Sequence, residues 1–173
     1  MLGRDAASWL ERLPPNRVID GSIVLVHGGV RDVQQYMRTT EHIRENAAYL
    51  RADFPQARLC FFGHSHEQRI YEVDGDSILE VFTTGKAFLS EDKIYFINSG
   101  SVDAQRKNRN KVAECAILDT SEWSLELLKV AYDAASTEAK AAVFGYRMTR
   151  LADRLYSLKR RLLRNLPRIA TAR

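Results

Sequence analysis

The chain has 173 residues, 45% of them hydrophobic, a mean hydropathy of −0.33 and a formal net charge of +4. That composition suits one globular domain with a real core, and no uninterrupted apolar run approaches the roughly 18 residues of a membrane helix. The charge is uneven: residues 144–173 hold eight Arg and one Lys against one Asp, a net of +8, so the overall +4 leaves −4 for residues 1–143. The basic pI of about 9.2 therefore belongs to the tail and says little about what the main domain binds.

Asp5 to Leu13 is predicted to form a short helix, stopped by Pro14-Pro15. Met1 to Pro15 mixes charged with apolar residues, unlike a secretory signal, and cytoplasm is the expected location. Ser22 to Val26 is β-branched and apolar and reads as a buried strand that His27-Gly28-Gly29 ends. Thr40 to Arg51 has apolar residues at Ile43, Ala47 and Leu50, as a one-faced helix requires. Arg58 to Phe62 is the next strand. Strand, helix and strand over about 40 residues predict a parallel crossover unit, hence an α/β fold.

After His66 the texture changes. Arg69 to Val73, Ser77 to Thr83, Lys93 to Asn98, Val112 to Leu118 and Ser124 to Val130 are short, β-branched and aromatic, and read as antiparallel strands. Asp74-Gly75-Asp76 is a hairpin turn. Cys60 and Cys115 lie in strand-like stretches and are expected as buried free thiols. Thr137 to Leu166 reads as two helices broken near Gly145. Within it Met148, Leu151, Leu155, Leu158 and Leu162 step by three and four, an apolar stripe, while the other faces carry arginines. Packing of the stripe on the domain is the expected arrangement. Dimerisation through it, or contact of the arginines with nucleic acid or an acidic membrane, are the alternatives, and no aromatic interleaving supports the second.

The residues that carry chemistry are three histidines, each placed just after an apolar strand: His27, His64 and His66. In an α/β sheet, ligands collect beyond the carboxyl ends of parallel strands, so all three are predicted on one rim. Imidazole is the commonest neutral metal ligand, and the three are candidate metal ligands. His42, inside a helix among polar residues, reads as a solvated histidine. Asn98-Ser99-Gly100-Ser101-Val102 follows a strand and offers backbone N–H groups suited to an oxyanion. Arg106, Lys107, Arg109 and Lys111 come next and are either a phosphate-binding set or a solvated charged loop.

The order Val26-His27-Gly28, Gly63-His64-Ser65-His66, then Ile97-Asn98-Ser99-Gly100-Ser101-Val102 resembles the C-terminal half of calcineurin-like metallophosphoesterases. It looks most like their small bacterial branch of phosphodiesterases and diadenosine-tetraphosphatase-like proteins. The resemblance runs from about Trp9 to Asp133. Its specific part is Gly-His-x-His, and it departs from the family at Ser99, where proline is usual. It implies a metallophosphoesterase-like domain over 1–133, part of an α/β/β/α sandwich, followed by a basic helical tail over 134–173. By this resemblance His27 and His64 match two ligands of one divalent metal and His66 a ligand of a second, the ions being Mn, Fe, Zn or Mg. A bridging hydroxide would attack phosphorus in a phosphomonoester, phosphodiester or nucleotide. Asn98, Gly100 and Arg106 are candidates for the substrate rim; no catalytic acid is identified.

The family's upstream motifs, Asp-x-His, Gly-Asp-x-x-Asp and Gly-Asn-His followed by an acid, do not occur in the chain. They supply the carboxylates, without which three neutral imidazoles would face four positive charges. The expectation is therefore the C-terminal half of a longer enzyme, begun at an internal Met. Such a half would leave sheet edges and apolar faces uncovered and be poorly soluble or homo-oligomeric. Two alternatives stay open: a single zinc held by the three histidines, and a non-catalytic half-domain that binds a partner through its open sheet or basic helix.

Overall fold

The computed structural model describes residues 3–83, 85–103 and 111–146 of the chain. By its internal contacts the chain divides into two compact units, Met1–Val102 with Ala113–Val130, and Asp103–Val112 with Ala131–Arg173.

The first unit opens with helix α1 (Arg4–Glu11), which ends before the two prolines. Strand β1 (Asn16–Ile19) follows, a segment that sequence analysis leaves unassigned. It returns through Asp20 and Gly21, both in the left-handed region, to pair antiparallel with β2 (Ile23–Val26). Helix α2 (Thr40–Asp53) is capped by the Thr39 hydroxyl, which accepts from the His42 N–H, and buries Ile43, Asn46, Ala47 and Leu50. Next come β3 (Leu59–Phe62), β4 (Arg69–Asp74), β5 (Ser77–Val81), β6 (Lys86–Phe88), β7 (Ile94–Asn98), β8 (Val112–Asp119) and β9 (Ser124–Ala131).

The larger sheet has the order β1-β2-β3-β7-β4-β5. Strands β2, β3 and β7 are parallel neighbours, and β4 and β5 run antiparallel beside them, joined at Gly75 with its positive φ. The expectation of an all-antiparallel second half therefore fails at β7. All five of its residues are buried, and a strand without a wet face belongs in the middle of a sheet covered on both sides.

Alternation along these strands separates two cores. Val24, Cys60, Phe62 and Phe96 point to the side where Ile43, Ala47 and Leu50 of α2 pack. Ile23, Leu59, Tyr95 and Ile97 point to the other side, against Leu125, Leu118 and Leu127 of a second sheet with the order β6-β9-β8. Helix, six-stranded sheet and three-stranded sheet thus form successive layers of a mixed α/β fold. Hydrophobic residues at the rims are exposed: Val18 and Ile19 on edge strand β1, Leu79 on β5, and Phe88 on β6.

In the second unit, helix α3 (Ala134–Val143) starts at Asp133, whose carboxylate accepts from the Ser136 N–H, and the chain turns at Gly145 with φ +73°. Lys111 pairs with Glu138. The apolar stripe from Met148 to Leu162, its arginines and the basic residues Arg106, Lys107 and Arg109 lie outside the described residues. No helix among the described residues is long and apolar enough to cross a membrane.

The two cysteines are free and differ in exposure. Cys60 is buried in β3, and burial pushes its thiol up to about 12. Cys115 is exposed, against expectation, because Ala116 and Leu118 take the core side of β8 and leave Cys115 on the opposite face. A thiol reagent at pH 8 should therefore modify Cys115 in the folded protein and Cys60 only after denaturation; mass spectrometry of labelled peptides reads this directly.

On β4, Glu72 accepts from Lys93 at 2.5 Å and from the Tyr95 hydroxyl at 2.9 Å. The lysine hydrogen bond holds the Glu72 carboxyl below its ordinary 4.5. A depressed carboxylate stabilises above its unfolded value and loses that contribution as pH falls through the folded one. Glu72→Gln should lower Tm at pH 7, and the deficit should close as pH drops below that of ordinary glutamate titration. A deficit that is unchanged at pH 3 would exclude the carboxylate as its source.

Candidate metal and phosphate site

The carboxyl ends of β2, β3 and β7 lie side by side, and each passes directly into a residue of interest: His27, the turn 63–66, and Asn98. His27 Nε2 and His64 Nδ1 meet at 3.1 Å, with the rings edge to face and 4.9 Å between centroids. One imidazole donates and the other accepts. A tetrahedral ion with metal–nitrogen bonds of about 2.0–2.1 Å holds two imidazole nitrogens roughly 3.3 Å apart, so this pair is spaced for one ion.

The turn after β3 is unusual in where its left-handed residues fall. They are His64 (φ +59°) and His66 (φ +56°), while Gly63 has an ordinary φ. Histidine tolerates this region better than most side chains, at a cost of about 1 kcal/mol each. The turn persists because its backbone is held from three directions. The Gly63 N–H donates to the His27 carbonyl at 3.0 Å. The Asn98 amide donates to the Gly63 carbonyl at 3.1 Å and to the Ser65 hydroxyl at 2.8 Å. The Arg38 guanidinium reaches the Ser65 carbonyl at 3.4 Å.

The third histidine goes elsewhere. His66 Nδ1 lies 3.1 Å from the Ser101 hydroxyl. Among the described residues no three His, Cys, Asp or Glu side chains gather to hold one ion. His27 and His64 are brought together, and His66 is directed to Ser101.

Asn98 is 1% exposed, and its Oδ1 accepts from the Gly100 N–H at 2.9 Å. Its amide thus ties the end of β7 to the histidine turn and shapes its own loop. The Ser101 N–H donates to the Glu114 carboxylate at 3.3 Å. Gly100 has φ +93°, and a Cβ there would strike the Glu114 side chain, so glycine is required twice over. Gln68 completes the frame, its Nε2 facing the carbonyls of Ser99, Cys115 and Leu128 at 3.1 to 3.3 Å. Arg106 lies outside the described residues. His42 is half-buried, its Nδ1 accepting from the Arg38 N–H at 3.4 Å.

Sequence reasoning missed the loop from Gly28 to Thr39. A Cβ on Gly28 would meet the backbone carbonyls of Val33 and Gln35, which cannot yield. Asn46, fully buried, accepts from the Val30 N–H at 2.7 Å and donates to Gln35 Oε1 and the His42 carbonyl. A signal was present: Asn46 stands on the helix face of Ile43, Ala47 and Leu50, where an apolar residue is expected. This loop lays the Tyr36 ring on His64, with centroids 4.0 Å apart.

No family model matches the chain. Over 80 residues the chain is 39% identical to an uncharacterized protein of Methanocaldococcus jannaschii, a stretch covering 46% of this chain and 31% of that protein. Its fold is similar to the crystal structure of a metallophosphoesterase from Sphaerobacter thermophilus, with a TM-score of 0.65 and 25% identity, over 83% of this chain and 59% of that one. The chain thus spans about a third of the archaeal relative's length and three fifths of the solved enzyme's. The fold is metallophosphoesterase-like.

Asn98→Ala should lower unfolding free energy by about 1–3 kcal/mol, because it leaves buried loop groups unpaired. Urea titration measures it, and a loss below about 0.5 kcal/mol would show that water replaces the bracket.

Proposed function

We propose that this chain carries part of the site of a divalent-metal-dependent phosphoesterase of the calcineurin-like kind, acting on a phosphomonoester, phosphodiester or nucleotide. The observation that carries it is the approach of His27 Nε2 to His64 Nδ1 at 3.1 Å, at the adjoining ends of two parallel strands, in a fold similar to a metallophosphoesterase. Among Mn, Fe, Zn and Mg, two neutral imidazoles suit Zn and Fe best, while Mn or Mg would lean on oxygen ligands, with His27 and His64 as ligands of one ion and His66 as a ligand of a second. A bound divalent ion would supply positive charge against the phosphate and an acidified water.

The chain's own residues do the positioning. Ser101, hydrogen-bonded to His66 Nδ1, orients the ring and leaves ligation to Nε2. Asn98 holds the turn that carries both histidines, and Gly100 shapes the loop beside it. Arg106 is assigned to the phosphate. The carboxylate ligands that two divalent ions need come from outside the described residues. The branch of small bacterial phosphodiesterases, the C-terminal-half assignment and a cytoplasmic location belong to the same reading; an exposed free Cys115 fits a reducing compartment. Exposed apolar residues on edge strand β1 support self-association.

Cobalt(II) should bind the chain with visible absorption bands, and His27→Ala and His64→Ala should each weaken binding by more than about tenfold. Hydrolysis of bis(p-nitrophenyl) phosphate, where present, should stop with EDTA and return with Mn(II). Metal binding and hydrolysis both indifferent to His64→Ala would sink the reading and favour a non-catalytic binding module.

A further inference from the structure

The loop between β2 and α2 is tied down far more tightly than a connection needs to be. The Gly29 and Gln35 N–H groups both donate to the Asp32 carbonyl, at 2.8 and 3.0 Å. Buried Asn46 holds Val30 and Gln35, and Arg31 makes a two-pronged contact with Asp53. Val30 and Met37 anchor the loop in the core at 8% and 1% exposure. Between those anchors stands Tyr36, 42% exposed.

Rigid display of a partly exposed aromatic residue gains less from burial than a core position would and still loses side-chain entropy. The ring is nevertheless ordered on both sides of the site's chemistry: it lies against His64 at 4.0 Å between centroids, and the Arg38 guanidinium stands over it at 4.5 Å. Arg38 is in turn fixed by Glu67 at 3.7 Å and by its own carbonyl, which accepts from the Tyr71 hydroxyl at 3.3 Å. The Tyr36 hydroxyl has no hydrogen-bond partner among the described residues.

We infer that Tyr36 is a further substrate-contact residue of the His27–His64 site: its phenol O–H donates to a phosphate oxygen of the bound ester, while its ring keeps the His64 imidazole turned toward His27. This rests on the phosphoesterase reading above. The chemistry fits an oxyanion. A phenol is a strong neutral donor, hydrogen bonds to charged oxygen are about twice as strong as neutral ones, and the Arg38 cation beside the ring favours negative charge at the same place. No covalent step is assigned to Tyr36.

Tyr36→Phe keeps the ring and removes the donor; Tyr36→Ala removes both. The probes are Mn(II), and inorganic phosphate added to the Mn(II)-loaded chain, each followed by isothermal titration calorimetry. Tyr36→Phe should bind Mn(II) like the wild type and phosphate about tenfold more weakly. Tyr36→Ala should weaken both. Wild-type phosphate affinity in Tyr36→Phe would overturn the contact, leaving the ring as packing for His64. Wild-type Mn(II) affinity in Tyr36→Ala would overturn the positioning role. Absence of Mn(II) binding in the wild type is a different failure: it removes the phosphoesterase reading, and this inference with it.

Discussion

Three neighbouring parallel strands must be covered on both faces, because parallel pairing gives each strand two apolar sides. In this protein β2, β3 and β7 meet that requirement with helix α2 on one face and the three-stranded sheet on the other. The requirement has a geometric consequence. All three strands end at one rim, and whatever follows each is delivered to the same place. His27, the His64–His66 turn and Asn98 are neighbours because their strands are.

Bringing three loops together at one rim creates a second problem, the backbone groups of the loops that become buried there. Neutral amides answer it. Asn46 satisfies the loop after β2, Asn98 bridges the turn after β3 to the loop after β7, and Gln68 faces carbonyls from that loop, β8 and β9. Amides suit the task since each offers donors and an acceptor without a charge to desolvate. Their grip also explains how His64 and His66 remain in left-handed backbone that most side chains avoid.

The electrostatic character of the rim follows. The groups that converge on it are imidazoles, a phenol, a serine hydroxyl and amides, with Arg38 beside them and Glu114 bonded to Ser101. Such a surface is mostly neutral and rich in hydrogen-bonding groups. The further anionic ligands of a two-metal centre are not gathered among the described residues. The chain covers three fifths of the solved metallophosphoesterase.

Much of the fold was legible from residue pattern. The runs Ser22–Val26 and Arg58–Phe62, the one-faced helix between them and the Asp74-Gly75-Asp76 turn all declare themselves through local periodicity and turn chemistry, which act over a few residues. The positions of His27, His64 and His66 after strands were legible for the same reason. Tertiary structure alone decided the rest. β1 forms because β2 offers an edge, and β7 runs parallel because only the sheet centre buries all five of its residues. His66 turns to Ser101, Asn98 becomes a bracket, Cys115 faces outward and Tyr36 reaches His64 through contacts 28 to 35 residues apart in the chain, or through the side of a strand that a distant partner covers. Local pattern carries no information about such partners, because they are chosen by which strands pair and not by which residues are adjacent.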